Sequence, residues 1–116
     1  MDSTVGFAEI IELYYTHGWQ LRRVLLRPET RRALGAMLQA EFPEALIVDA
    51  PVDALWFARP SYANREAWEL RLVTDSPYAL FETFAADQPE AERERARGEM
   101  EARLIEKASS ANWNEH

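Results

Sequence analysis

The fold is decided between Ala54 and Phe84, where the chain reads ALWFARP (54–60), SYAN (61–64), REAWELRLV (65–73), TDSP (74–77) and YALFETF (78–84). Apolar residues recur at every second position and aromatic rings are dense, which suits strands that turn one face to a core. Pro60–Asn64 and Thr74–Pro77 carry the Pro, Ser, Asn and Asp residues that turns require. The stretch therefore predicts two successive antiparallel hairpins from strands Ala54–Arg59, Glu66–Val73 and Tyr78–Phe84. A shorter β-rich piece, Ala45–Asp49, precedes them across the Asp49–Asp53 turn, as a separate strand or as the start of the next one.

A symmetric Pro60–Asn64 loop puts Trp56 opposite Trp68, and closure of the second hairpin at Thr74–Ser76 puts Leu72 opposite Tyr78 and Leu70 opposite Leu80. One face then reads Trp56, Trp68, Leu70, Leu72, Tyr78, Leu80 and Phe84, a core face holding a single acid, Glu82, beside Trp68. If buried, that carboxylate needs a partner such as the Trp68 indole N–H or Arg23, and Trp68 with Glu82 would then mark a ligand pocket. If strand four is an edge, Glu82 simply reaches water. The opposite face mixes Leu55, Phe57, Ala67, Ala79 and Phe81 with Arg59, Arg65, Glu69 and Arg71. With no helix evidently left to bury it, Leu55, Phe57, Glu69, Arg71 and Phe81 are expected to form an interface. A helix lying across that face would remove it.

Upstream, Phe7, Ile10, Ile11 and Tyr14 make one apolar stripe on a helix over Val5–His17, capped by Ser3 or Thr4 and ended by Gly18. Trp19–Arg27 reads as a strand. Pro28 opens a second helix whose core face is Leu34, Met37 and Leu38, with Ala33 and Phe42 at its margin and Pro43 as its stop. Downstream, Asp87, Pro89 and Glu90 supply the start of a last helix that runs to about Ser109. Its first half is almost all Glu and Arg, which predicts solvent-facing turns laced by Glu92/Arg95, Glu94/Arg97 and Glu99/Arg103. Met100, Leu104, Ile105 and Ala108 anchor the second half. Residues 109–116 are expected to be a mobile tail. The order α-β-α-β-β-β-α predicts one α+β domain over residues 1–116, an antiparallel meander covered by helices.

The 116 residues carry a net charge of −7, which argues against nucleic acid and acidic membranes as partners. One segment departs from that average. Arg22, Arg23, Arg27, Arg31 and Arg32 stand against Glu29 alone, either paired with the acidic last helix or forming a contact for an anion or an acidic partner. Asp2 and Glu9 lie where a secretory signal would carry Lys or Arg, and the expectation is a cytoplasmic protein.

Catalytic chemistry is sparse. There is no Cys, the two histidines are His17 at a helix end and the terminal His116, and no serine sits in a nucleophile elbow. The glycines, at 6, 18, 35 and 98, form no phosphate-binding loop. No cofactor or metal is therefore expected. The aromatics beside Arg in Trp56–Tyr62 would suit base stacking in a basic protein, but here they read as core and loop-tip residues. Asp53, two residues after Pro51, followed by Glu69-x-Arg71, resembles the restriction-endonuclease-like nuclease pattern, with Glu9 and Glu12 as further acids on the first helix. That resemblance implies a Mg²⁺-dependent hydrolase built on Asp53 and Glu69. The chain departs from it at Arg71, where the pattern has lysine, and at Val52, which splits the Pro-Asp pair.

The expectation from these observations is a non-enzymatic module that binds another protein, or itself as a homodimer, through the mixed sheet face. The alternatives are the hydrolase and a small-ligand domain with Glu82 as its polar anchor.

Overall fold

Each strand expected from the alternation between Ala54 and Phe84 is present, and three helices pack on the sheet they form. The computed structural model describes residues 3–74 and 77–114, with side chains from 6 to 74 and from 77 to 109. The elements are α1 (Ser3–Thr16), β1 (Gln20–Leu26), α2 (Pro28–Glu41), β2 (Leu46–Asp49), β3 (Ala54–Pro60), β4 (Glu66–Leu72), β5 (Ala79–Phe84) and α3 (Glu90–Asn114). They make one α+β domain with a five-stranded sheet in the order β2-β1-β3-β4-β5.

The sheet is mixed, which corrects the expected plain meander. β2 runs parallel to β1 at the outer edge and reaches it through α2, whereas β1 inserts antiparallel beside β3. The β1-α2-β2 passage is a crossover unit, and a helix is the usual way to bring two neighbouring strands into parallel alignment. A register shift between Leu21 and Arg23 marks a bulge in β1.

The first hairpin is two residues out of the expected register. Trp56 lies opposite Leu70 and Ala58 opposite Trp68, because the loop runs from Ser61 to Arg65, closed by Ser61 N–H donating to the Arg65 carbonyl. Ala63 and Asn64 both hold left-handed backbone, with φ of 58° and 60°, which lets the five-residue loop close one position later than expected. An even shift leaves every side chain on its expected face. Trp56 and Trp68 become diagonal neighbours whose rings meet edge to face at 5.8 Å. The second hairpin has the expected pairs, Leu70 with Leu80 and Trp68 with Glu82.

Two cores sit on the two sheet faces. Beneath α3, Trp56, Ala58, Trp68, Leu70, Leu72 and Phe84 pack with Met100 and Leu104. The Trp56 indole N–H donates to Glu101 at 2.7 Å, so this fully buried ring keeps its hydrogen bond. On the opposite face α1 and α2 supply Phe7, Ile11, Tyr14 and Leu38 to Leu21, Val24, Leu26, Leu55 and Phe57. Leu55 and Phe57 are fully buried there, which corrects the expectation that no helix covers them. Met37, expected on the core face of α2, is exposed.

The last helix departs from expectation at both ends. Its first half does not project into solvent: Arg97 is 2% exposed, with its guanidinium 4.5 Å from the Trp68 ring centre, and it pairs with Glu90 and Glu94. Arg93 lies over Phe84 and donates to the carbonyls of Ala85 and Gln88, fixing the start of α3. At the other end α3 continues to Asn114 rather than stopping near Ser109. α1 already includes Ser3 and Thr4, expected as its caps; their side chains and that of Trp113, with Asp75, Ser76 and His116, lie outside the described residues.

Candidate functional site

The two helices on the second face cover the β2-β1-β3 part of the sheet, and α1 reaches β4 through Tyr14, which meets Glu69, while Ala67 is buried; β5 is left exposed at Ala79 and Phe81. Positions 67, 69 and 71 of β4 pair with 83, 81 and 79 of β5 and share the face of Leu55 and Phe57. Phe81 is 58% exposed at the centre of this half-face, with Ala79 and Thr83 on either side along its strand.

The margin of the face is built by the end of α1. Gly18 takes a left-handed φ of 85°, and the chain reverses so that Trp19 N–H donates to the Tyr14 carbonyl at 3.0 Å. His17, at that helix end, donates from Nδ1 to the Leu13 carbonyl at 3.0 Å. The turn sets the Trp19 ring edge to face against Phe81, centres 6.3 Å apart. The Arg59 guanidinium stacks over Trp19 at 4.9 Å and is held by the His17 carbonyl, which it meets at 2.5 Å.

Tyr14 stacks on Phe57, centres 4.0 Å apart, and its hydroxyl donates to the Glu69 carboxylate. Burial pushes the phenol up to about 12, the neighbouring Glu69 carboxylate adds to the rise, and Arg71 opposes it. Arg71 stands opposite Ala79, and its buried Nε has no hydrogen-bond acceptor among the described residues. Arg65 reaches across to β5 and donates to Thr83 Oγ1 at 2.8 Å and to the Thr83 carbonyl at 3.2 Å.

This surface gathers Glu69, Arg71 and Phe81 from the five expected interface residues and excludes Leu55 and Phe57. Tyr14, Trp19, Arg59 and Arg65 join them. Arg59 and Arg65 lie on the expected face, Tyr14 is a core residue as expected and only its hydroxyl reaches Glu69, and Trp19 precedes β1 rather than opening it, brought to this margin by the turn at Gly18.

The remaining expected sites are dispersed. Arg23 donates to Glu94 at 2.7 Å, Arg31 to Asp49 at 2.6 Å, and Arg27 pairs with Asp53 and Glu29. Arg22 and Arg32 are exposed and form no ion pair among the described residues, so three of the five arginines are tied to carboxylates and two are not. The Trp68–Glu82 pocket does not form. Trp68 is buried under Arg97 and donates to Glu66 at 2.8 Å, and Glu82 is exposed on the edge strand.

Asp53 is committed to structure. It accepts from the Arg27 backbone N–H at 2.9 Å and from Thr30 Oγ1 at 2.8 Å, fastening the start of β3 to the positive end of α2. It lies at the level of Val73 while Glu69 stands opposite Phe57, about 13 Å along the strand, so the two carboxylates cannot share an ion. Among the described residues no three His, Asp or Glu side chains gather in a way that could hold a metal. A separate groove of about 360 Å³ opens between α1 and the end of α2, with Tyr15 and Phe42 beside Arg22, Glu41 and Glu44. No protein family, no curated protein and no solved structure matches the chain.

Proposed function

We propose that the chain is a protein-binding module that works through the exposed face of its edge strand β5. The observation that carries this reading is Phe81, 58% exposed, braced by Trp19 and lying on an edge strand. Phe81 stands beside a second aromatic, Trp19, on an unpaired strand edge, and aromatic anchors are the residues that dominate protein contacts. Hydrolysis through Asp53 and Glu69 has less support, since each carboxylate already serves a protein group and the two stand far apart.

A photo-reactive residue placed at Ala79 should yield a discrete protein adduct in the native cell, whereas the same residue at the exposed Arg103 on α3 should not. Phe81→Asp should abolish the Ala79 adduct. Equal yields at the two positions, or an adduct indifferent to Phe81→Asp, would contradict the reading.

A further inference from the structure

We infer that the partner of this face is an acidic, extended peptide segment that adds to β5 as a sixth strand. The inference rests on the protein-binding reading above and names the chemistry of what binds.

Leu72 N–H donates to the Tyr78 carbonyl, so Tyr78, Leu80, Glu82 and Phe84 direct their backbone groups at β4. By the alternation of an antiparallel ladder, Ala79, Phe81 and Thr83 direct theirs outward, the Thr83 carbonyl already accepting from Arg65 at 3.2 Å. These three residues also carry the side chains of the open face, so one segment offers both a hydrogen-bonding edge and the surface a new strand would pack beside. Strand addition uses this combination: backbone bonds give affinity and alternate side chains give selectivity.

Charge selects the occupant. Arg23, Arg27, Arg31, Arg93 and Arg97 all end on carboxylates. Arg59, Arg65 and Arg71 form no ion pair among the described residues, and all three border the open face, where Glu69 is the only acid and is held by Tyr14. The face is thus locally basic on a molecule of net charge −7. A second copy docked face to face would set these arginines against themselves, which disfavours self-association here. At physiological ionic strength the repulsion of an acidic segment by the rest of the molecule fades beyond about 8 Å, so local attraction decides.

The spacing is also defined. Arg65 already lies over Thr83, and Arg71, opposite Ala79 in the ladder, stands beside the Tyr14 hydroxyl with its Nε buried and without an acceptor among the described residues. The two arginines therefore stand at the levels of Thr83 and Ala79, on either side of Phe81 and about 13 Å apart along the strand. A matching strand carries acids at i and i+4 and an apolar residue at i+2.

The test is titration of the isotope-labelled chain with two synthetic peptides, Ser-Glu-Thr-Val-Thr-Glu-Ser and its analogue with Lys at both Glu positions, and with a ten-nucleotide oligothymidine. The acidic peptide should bind about ten-fold more tightly than the basic one and weaken as salt rises. It should also slow amide exchange at Ala79, Phe81 and Thr83. Arg71→Gln should weaken it about three-fold while Arg103→Gln leaves it unchanged. Equal binding of both peptides with the same protected amides would overturn the acidic selectivity and leave the protein-binding reading standing. Binding of the oligonucleotide without amide protection would overturn both. Protection that grows with protein concentration alone would give the edge to a second copy and overturn the acidic partner. Failure of the acidic peptide to bind also overturns it.

Discussion

Arg97 is where a single residue most changes how α3 should be understood. Its guanidinium is enclosed by Trp68 and Phe84 and tied to Glu90 and Glu94, which stay largely exposed. The arginine thus covers aromatic surface with its planar head while its acids keep their hydration, avoiding much of the cost of a fully buried pair. Truncation by Arg97→Ala should cost about 2–3 kcal/mol in urea denaturation, the scale of a buried large-to-small change. Arg97→Met, which restores much of the volume, should recover at least half of that if packing dominates. A Met variant as unstable as the Ala variant would show that the charge itself holds α3. From the sequence, Glu94/Arg97 looked like one more helix-surface pair, since a run of Glu and Arg does not reveal which member meets a sheet. Asp53 was opaque for the same reason: a carboxylate after a strand is spelled alike whether it binds a metal or fastens a helix start.

At the scale of elements, β3, β4 and β5 were legible because alternation and turn residues agree over thirty-one residues, 54–84. What was not legible was pairing at a distance. Nothing local distinguishes a β2 that continues into β3 from one that turns back to lie parallel beside β1, and that choice makes the sheet mixed. The first hairpin slipped by two because Ala63 takes a left-handed conformation unusual for its type. α3 is one uninterrupted helix through Gly98, which lies mid-helix with nothing within 4 Å of where a Cβ would stand. Gly98→Ala should therefore stabilise the protein by about 0.5–1 kcal/mol, read as a raised denaturation midpoint at unchanged m-value. No gain, or a loss, would place a break or a close contact there.

Over the whole molecule, function follows from an imbalance in cover. α3 lies across one face from β1 to β5, while on the other face α1 and α2 cover β2, β1 and β3, reach β4 through Tyr14 and leave β5 exposed. The chemical character of the exposed part, aromatic and basic, was present in the mixed face of the sequence, and Glu69, Arg71 and Phe81 were named from it. Which part of that face the helices would claim was not readable, because it depends on where each helix crosses a sheet whose strand order was unknown. Leu55 and Phe57 went under the helices and Trp19 came round from the end of α1 to replace them at the margin. The account stands on β5 being an open edge beneath an uncovered face. Residue-resolved amide exchange of the purified chain tests this most directly, across a hundred-fold range of concentration. Ala79, Phe81 and Thr83 should exchange rapidly at every concentration while Leu80 and Glu82 are protected. Slow exchange at Ala79, Phe81 and Thr83 in dilute free protein would mean that the edge is already occupied, and would contradict the account.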